Sequence, residues 1–268
     1  MSSRAFSRSR QQKTMALAAD FLRLPLAHRA LHDRAQRRPE NSPAAIRAAV
    51  AAGYGIEIDV QGTADGQAVV FHDEWMERLT EATGFVKDYT AAALGRIALR
   101  DSDDCIPTLP QVLDMVAGRV PLLIEIKDQT DRMAETDGRL EQAVADALAS
   151  YTGPVAVMSF NPHAIANMAR LAPAIPRGLT TAAYDHAGWA PLSPDRCDEL
   201  RKIADYDRVG ACFISHEAAD LTRPRVAALK AKGAAILCWT IRSEKAEALA
   251  RQVADNVTFE GYLAAQPS

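Results

Sequence analysis

Paired cysteines, long apolar runs and a charge excess are all missing from this chain, and each absence removes a class of protein. The four cysteines, Cys105, Cys197, Cys212 and Cys238, are widely spaced and form no CxxC. That excludes a zinc framework or a disulfide scaffold and fits reduced thiols in a cytoplasm, the expected compartment. No window approaches the ~18 uninterrupted apolar residues of a membrane span, so no stable membrane insertion is expected. The apolar stretch from Met15 to Leu22 is broken by Asp20 and lacks the small-residue cleavage pattern of an export signal. Acidic and basic side chains nearly balance, 34 against 31, for a net charge of −3. Arg4, Arg8, Arg10, Lys13 and Arg23 lie near the start against Asp20, so the body that follows is acidic, which argues against a general nucleic-acid binder. A GxSxG elbow, a Walker A loop and a Rossmann glycine fingerprint are absent too, which weakens the serine hydrolase, NTPase and dehydrogenase readings.

What remains is an ordinary globular composition, 48% apolar over 268 residues, the size of one α/β barrel. Nine short apolar runs, from Leu24–Arg29 to Val257–Tyr262, alternate with helix-patterned segments. Ser42-Pro43, Asn161-Pro162 and Ser193-Pro194 read as helix starts, and Thr108 with Gln111 as a capping box before Val112–Ala117. Repeated strand–helix–strand units imply a parallel sheet closed into a TIM-type (β/α)8 barrel. The second and third runs are joined by only Gln61–Gln67, too short for a helical crossover, so they form a hairpin. A turn centred on Asp65-Gly66 sets Asp59 opposite His72. Residues 1–20 read as a flexible basic tail and 21–268 as a single barrel domain, with a small insertion over about 74–106 where the rhythm breaks. Oligomeric state is not legible.

Polar residues gather at the ends of the apolar runs, where such a barrel builds its site. Residues i and i+2 of a strand share a face, so Glu57 pairs with Asp59 and Glu125 with Lys127. Three carboxylates inside a barrel need positive charge, which a divalent cation with hard oxygen ligands supplies. His28 and His72 end neighbouring runs, and imidazoles beside an acidic cluster suit proton transfer in both directions. Arg29 adds a planar fork for phosphate. His32, His163 and His186 read as solvated.

Taken together, His28-Arg29, Pro39-Glu40-Asn41-Ser42, Glu57-Ile58-Asp59-Val60, Asp65-Gly66, Val69-Val70-Phe71-His72-Asp73, Ile106-Pro107-Thr108-Leu109 and Glu125-Ile126-Lys127 resemble the glycerophosphodiester phosphodiesterase family. The likeness continues more weakly through Ser159-Phe160 and Cys238-Trp239-Thr240. It implies a barrel enzyme that hydrolyses a small-molecule phosphodiester to sn-glycerol 3-phosphate and an alcohol. It further implies Glu57, Asp59 and Glu125 as ligands of one divalent ion, Ca2+ or Mg2+ with Mn2+ as a third option, and His28 and His72 as acid and base. Arg29 and Lys127 match phosphate contacts, Glu40 a residue near the site, and Phe160 and Trp239 the pocket lining. Two departures stand out: Ala30 replaces the glycine usual after His-Arg and is followed by the basic stretch Leu31–Arg38, and Thr258-Phe259-Glu260-Gly261-Tyr262 replaces the usual acidic strand end. Alternatives on the same scaffold are a lysophospholipase D-like or sugar-phosphodiester activity, a metal phosphohydrolase of another type, and a non-catalytic phosphodiester-binding barrel.

Overall fold

The computed structural model describes residues 16–267. Its strands are β1 (Leu26–Ala27), β2 (Gly55–Gly62), β3 (Ala68–Val70), β4 (Leu122–Ile126), β5 (Val155–Ser159), β6 (Arg177–Thr181), β7 (Phe213–Glu217), β8 (Ala235–Ile241) and β9 (Asn256–Phe259). All but β3 run parallel and close into a TIM-type (β/α)8 barrel, because β1 pairs with β2 on one side and with β9 on the other. The helices are α1 (Asp20–Arg23), α2 (Pro43–Ala52), α3 (Ala91–Leu94), α4 (Leu109–Val116), α5 (Arg139–Leu148), α6 (Pro162–Leu171), α7 (Pro194–Arg201), α8 (Pro224–Ala231) and α9 (Glu244–Ala250).

Helix starts follow the sequence signals. Ser42, Asn161 and Ser193 each accept a backbone N–H from the first turn, and each is followed by proline at the first helical position. Thr108 and Gln111 make the reciprocal capping box, so α4 begins at Leu109, three residues ahead of the expected Val112. The outward residues of the strands, Ile56, Ile58, Val60, Ile124 and Ile126 among them, pack under the helices as the main core.

Inside the barrel, the end away from the strand tips is closed by Leu26, Leu123, Ala156, Phe213 and Leu237, with Leu17 and Phe21 packed beneath. The flexible tail expected over residues 1–20 lies mostly outside the described residues, but Leu17, within that span, is buried in this plug. Two inward positions are glycine because a side chain already fills the space: a Cβ on Gly55 would lie 2.5 Å from Leu26 Cδ2, and one on Gly178 2.5 Å from the Phe213 ring.

The β2–β3 hairpin corrects one expected register. Thr63 pairs with Gln67 around a three-residue loop that has Gly66 at φ +72°, a three-residue hairpin with its left-handed glycine last. Val60 therefore faces Val70, and Phe71 N donates to Asp59 O. Asp59 thus faces Phe71 rather than the expected His72, which falls one residue further on and lies beyond the strand. The segment that follows, through Ile106, holds only isolated bridges, a 3₁₀ turn and α3 around a small core of Val69, Phe71, Met76, Leu79, Leu94 and Ile106.

Candidate active site

Side-chain alternation along β2 and β4 puts Glu57, Asp59, Glu125 and Lys127 inside the barrel mouth, and Asp59 and Glu125 are in-register neighbours. The three carboxylates are buried, each offering an oxygen within 4.8 Å of the others. Lys127 Nζ bridges two of them, 2.8 Å from Glu125 Oε1 and 3.3 Å from Asp59 Oδ1. Burial, then the charges of Asp59 and Glu125, push the Glu57 carboxyl well above its ordinary range. Burial also disfavours the Asp59 charge, but Lys127, His72 and Arg29 outweigh it and hold that carboxyl low. Lys127, buried as well, is kept charged by Glu125 and Asp59.

Lys127 does not balance three carboxylates, and Arg29, 3.7 Å from Asp59 Oδ2, is shared with Glu40. Hard oxygens converging from two strands are the donor set of a divalent cation. The residues fit such an ion.

The His28-Arg29-Ala30 corner aims backbone at the same cluster. Arg29 and Ala30 take left-handed conformations, φ +51° and +64°. Arg29 N thereby donates to Glu57 Oε2 at 2.9 Å and Ala30 N to Glu57 O. Only glycine adopts this region without cost, which explains the residue Ala30 replaces. Asn41, also left-handed at φ +59°, donates from Nδ2 to Asp59 Oδ2 at 2.9 Å.

Each histidine is anchored through Nδ1, His28 to Glu260 Oε2 at 2.5 Å and His72 to Asp73 Oδ1 at 2.6 Å. An ionised carboxylate only accepts, so the proton sits on Nδ1 and Nε2 is left for exchange. Burial lowers the pKa of His28 despite the upward pull of Glu260. Glu260 itself is held far below the usual carboxylate range, first by His28, then by His32. Asp73 is held low against its burial by His72 and Arg78. Arg78 grips both Asp73 and Glu40, and Glu40 grips Arg29 Nη1 at 2.8 Å. A single ionic chain thus links His72 to Arg29.

Nine of the ten sequence-predicted residues, His28, Arg29, Glu57, Asp59, His72, Glu125, Lys127, Phe160 and Trp239, line one cavity of about 60 Å³ together with Met158 and Thr258. Glu40 does not line it and instead braces Arg29 from behind. The Phe160 and Trp239 rings meet edge to face at 5.5 Å, backed by Trp189 and Tyr184. A wider groove of about 620 Å³ beside α5 and α6 contains no histidine.

The model of the glycerophosphoryl diester phosphodiesterase family matches residues 28–259. The chain belongs to that family. It is 30% identical over 216 residues to a glycerophosphodiester phosphodiesterase of Bacillus altitudinis, covering 77% of this chain and 82% of that one. Another, from Caldanaerobacter subterraneus, is 33% identical over 149 residues, 53% of this chain and 60% of the relative. An Oleispira antarctica phosphodiesterase, solved in complex with its product sn-glycerol-3-phosphate, superposes with a TM-score of 0.70 over 88% of this chain and 93% of its own at 24% identity. The chain is thus a phosphodiesterase-family barrel, and its acidic cluster can hold a metal. Among the described residues no helix is long and apolar enough to cross a membrane.

Three residues of this phosphodiesterase barrel escaped sequence reasoning. Glu260 occupies the strand end read as a departure from the acidic pattern, so an acidic group is present after all, one residue past β9, and it meets His28. His32, read as solvated, is only 24% exposed, with Nε2 3.5 Å from Glu260 Oε2; the corner at Arg29-Ala30 turns it inward. Asn41 carried no periodic signal. His186, by contrast, is half exposed beside Asp198.

Proposed function

We propose that this phosphodiesterase hydrolyses glycerophosphodiesters to sn-glycerol 3-phosphate and an alcohol, with His28 and His72 as its acid–base pair. Glu57, Asp59 and Glu125 hold one divalent ion, Mg2+ or Ca2+, with Mn2+ as a third candidate. The observation that supports this reading best is the meeting of two Nδ1-anchored imidazoles and three carboxylates on one small cavity.

When bound, the cation neutralises phosphoryl charge that would repel an incoming nucleophile. His28, kept neutral by burial, takes the proton of the attacking oxygen on Nε2, and Glu260 stabilises the imidazolium that results. That oxygen belongs to water or to the adjacent glycerol hydroxyl, and the second route passes through a cyclic phosphate that water then opens. His72 acts from its imidazolium form: it gives its Nε2 proton to the departing alkoxide and keeps its Nδ1 proton on Asp73. Arg29, braced by Glu40, holds the phosphate with its guanidinium, whose Nε lies 3.7 Å from Asp59 Oδ2 and makes no hydrogen bond among the described residues. Phe160 and Trp239 form an apolar wall for the alcohol.

Alcohol release from glycerophosphodiesters, with lysophospholipids and sugar phosphodiesters alongside, in Mg2+, Ca2+ or Mn2+, tests the reading. Wild type turns over a glycerophosphodiester, and His28→Ala and His72→Ala each lose about 10²–10⁴-fold, the usual worth of a positioned acid or base. Full activity in both variants overturns the acid–base assignment, and tight binding without turnover in wild type overturns the reaction.

A further inference from the structure

We infer that Thr258 is a substrate-contacting residue, its hydroxyl donating to a phosphoryl oxygen; this rests on the phosphodiesterase reading above. Thr258 is 1% exposed on β9, on the same face as Glu260, and lines the cavity with His28 and Glu57. Its Oγ1 has no hydrogen-bond partner among the described residues. Two other buried hydroxyls of the barrel are engaged: Ser159 Oγ donates to Ile126 O at 2.6 Å, and Thr181 Oγ1 meets His216 Nδ1 at 2.7 Å.

A buried hydroxyl with no partner is costly, and valine would fill the same β-branched shape with equal strand propensity. On the cavity wall, unlike elsewhere in the barrel, that hydroxyl can meet a partner that is not part of the chain. Arg29, on the same cavity, has a second buried donor that makes no hydrogen bond among the described residues: its Nε lies 3.7 Å from Asp59 Oδ2, beyond hydrogen-bond reach. The carboxylates that could have accepted are turned to Lys127, Asn41 and the Arg29 backbone. Two buried donors that make no hydrogen bond within the described residues, on a cavity edged by an acid–base pair, suit an oxyanion. Ser215 supplies an internal comparison. Its hydroxyl is equally buried and unpartnered but is not part of the cavity lining.

Three variants separate the contact from packing: Thr258→Val, Thr258→Ser and Ser215→Ala. Two readouts are needed, steady-state kinetics on a glycerophosphodiester and calorimetric binding of sn-glycerol 3-phosphate in Mg2+. Thr258→Val loses about 10- to 100-fold in kcat/KM and binds the product more weakly, the scale of one hydrogen bond to a charged group, while its melting temperature holds or rises. Thr258→Ser keeps most of both, and Ser215→Ala matches wild type. If Thr258→Val binds and turns over like wild type, the inference is wrong, whatever the reaction proves to be. Should wild type lack turnover, the reaction assignment fails, and equal product binding by wild type and Thr258→Val would still overturn the contact.

Discussion

Lys127→Met tests whether the carboxylate cluster is held together by charge. Among the described residues Lys127 is the only cation bonded to Glu125, 2.8 Å from it and 3.3 Å from Asp59. At an effective dielectric of 20 each pair is worth about 5–6 kcal/mol before desolvation. Much of that is offset by the cost of burying the ions, so removing one partner from a buried pair costs about 3–5 kcal/mol, because the remaining charges are left uncompensated. Methionine preserves the stem volume, which leaves charge as the main change. For a domain of this size the loss lowers the melting temperature by roughly 6–20 °C. The assay is thermal unfolding in EDTA followed by the same scan in excess Mg2+. A ligand at 100 times its Kd stabilises by about 2.7 kcal/mol. The variant, with a more negative cluster, gains more than wild type, and the gap between the two melting temperatures narrows. A variant that melts within about 2 °C of wild type in EDTA, or a gap unchanged by Mg2+, would refute the reasoning.

Metal binding by wild type is expected to release protons at pH values above the ordinary carboxylate range. Glu57 has a folded pKa raised by burial and its two carboxylate neighbours, so without metal it keeps a proton that the unfolded chain has already lost. Its contribution to stability is present below the unfolded pKa and fades as pH rises through the folded one. A cation displaces that proton, so calorimetry in buffers of different ionisation heat should show release, and equal heats in all buffers would count against it. Glu260→Gln keeps the shape beside His28 but removes the charge that raises the imidazole pKa. The limb of the pH–rate profile set by His28 then moves to lower pH, and an unmoved profile would make Glu260 merely structural. Gly178→Ala drives a methyl to within 2.5 Å of the Phe213 ring. Overpacking of this kind costs about 1–3 kcal/mol, read as a lower denaturant midpoint with kinetics unchanged at low temperature; an unshifted midpoint would show that the plug yields freely.

The barrel and most of the site were legible because both rest on period-two alternation. Glu57-Ile58-Asp59 and Glu125-Ile126-Lys127 place charged groups on the inward face of strands whose intervening residues are core, and that pattern needs no knowledge of the partners. The same rule, carried one strand further, would have found Glu260. Thr258 points inward on β9 and Glu260 follows two residues on, but Glu260 lies past the last paired residue, and the glycine after it reads as a turn. Asn41 and His32 were out of reach for a different reason. Both depend on the left-handed corner at Arg29-Ala30, where neither arginine nor alanine signals a positive φ. The hairpin register failed on loop length alone. Asp65-Gly66 serves a two-residue turn and a three-residue loop equally well, and the choice was settled by Thr63, whose Oγ1 accepts from Gln67 N at 2.9 Å and closes the longer loop. The slip moved the partner of Asp59 but did not remove His72 from the cavity, because beyond Val70 the chain leaves the ladder, and His72 is placed by Asp73 and Arg78. Strand periodicity therefore reads the carboxylates that ride on the sheet, whereas the residues that orient the histidines sit where the sheet ends and local rules stop.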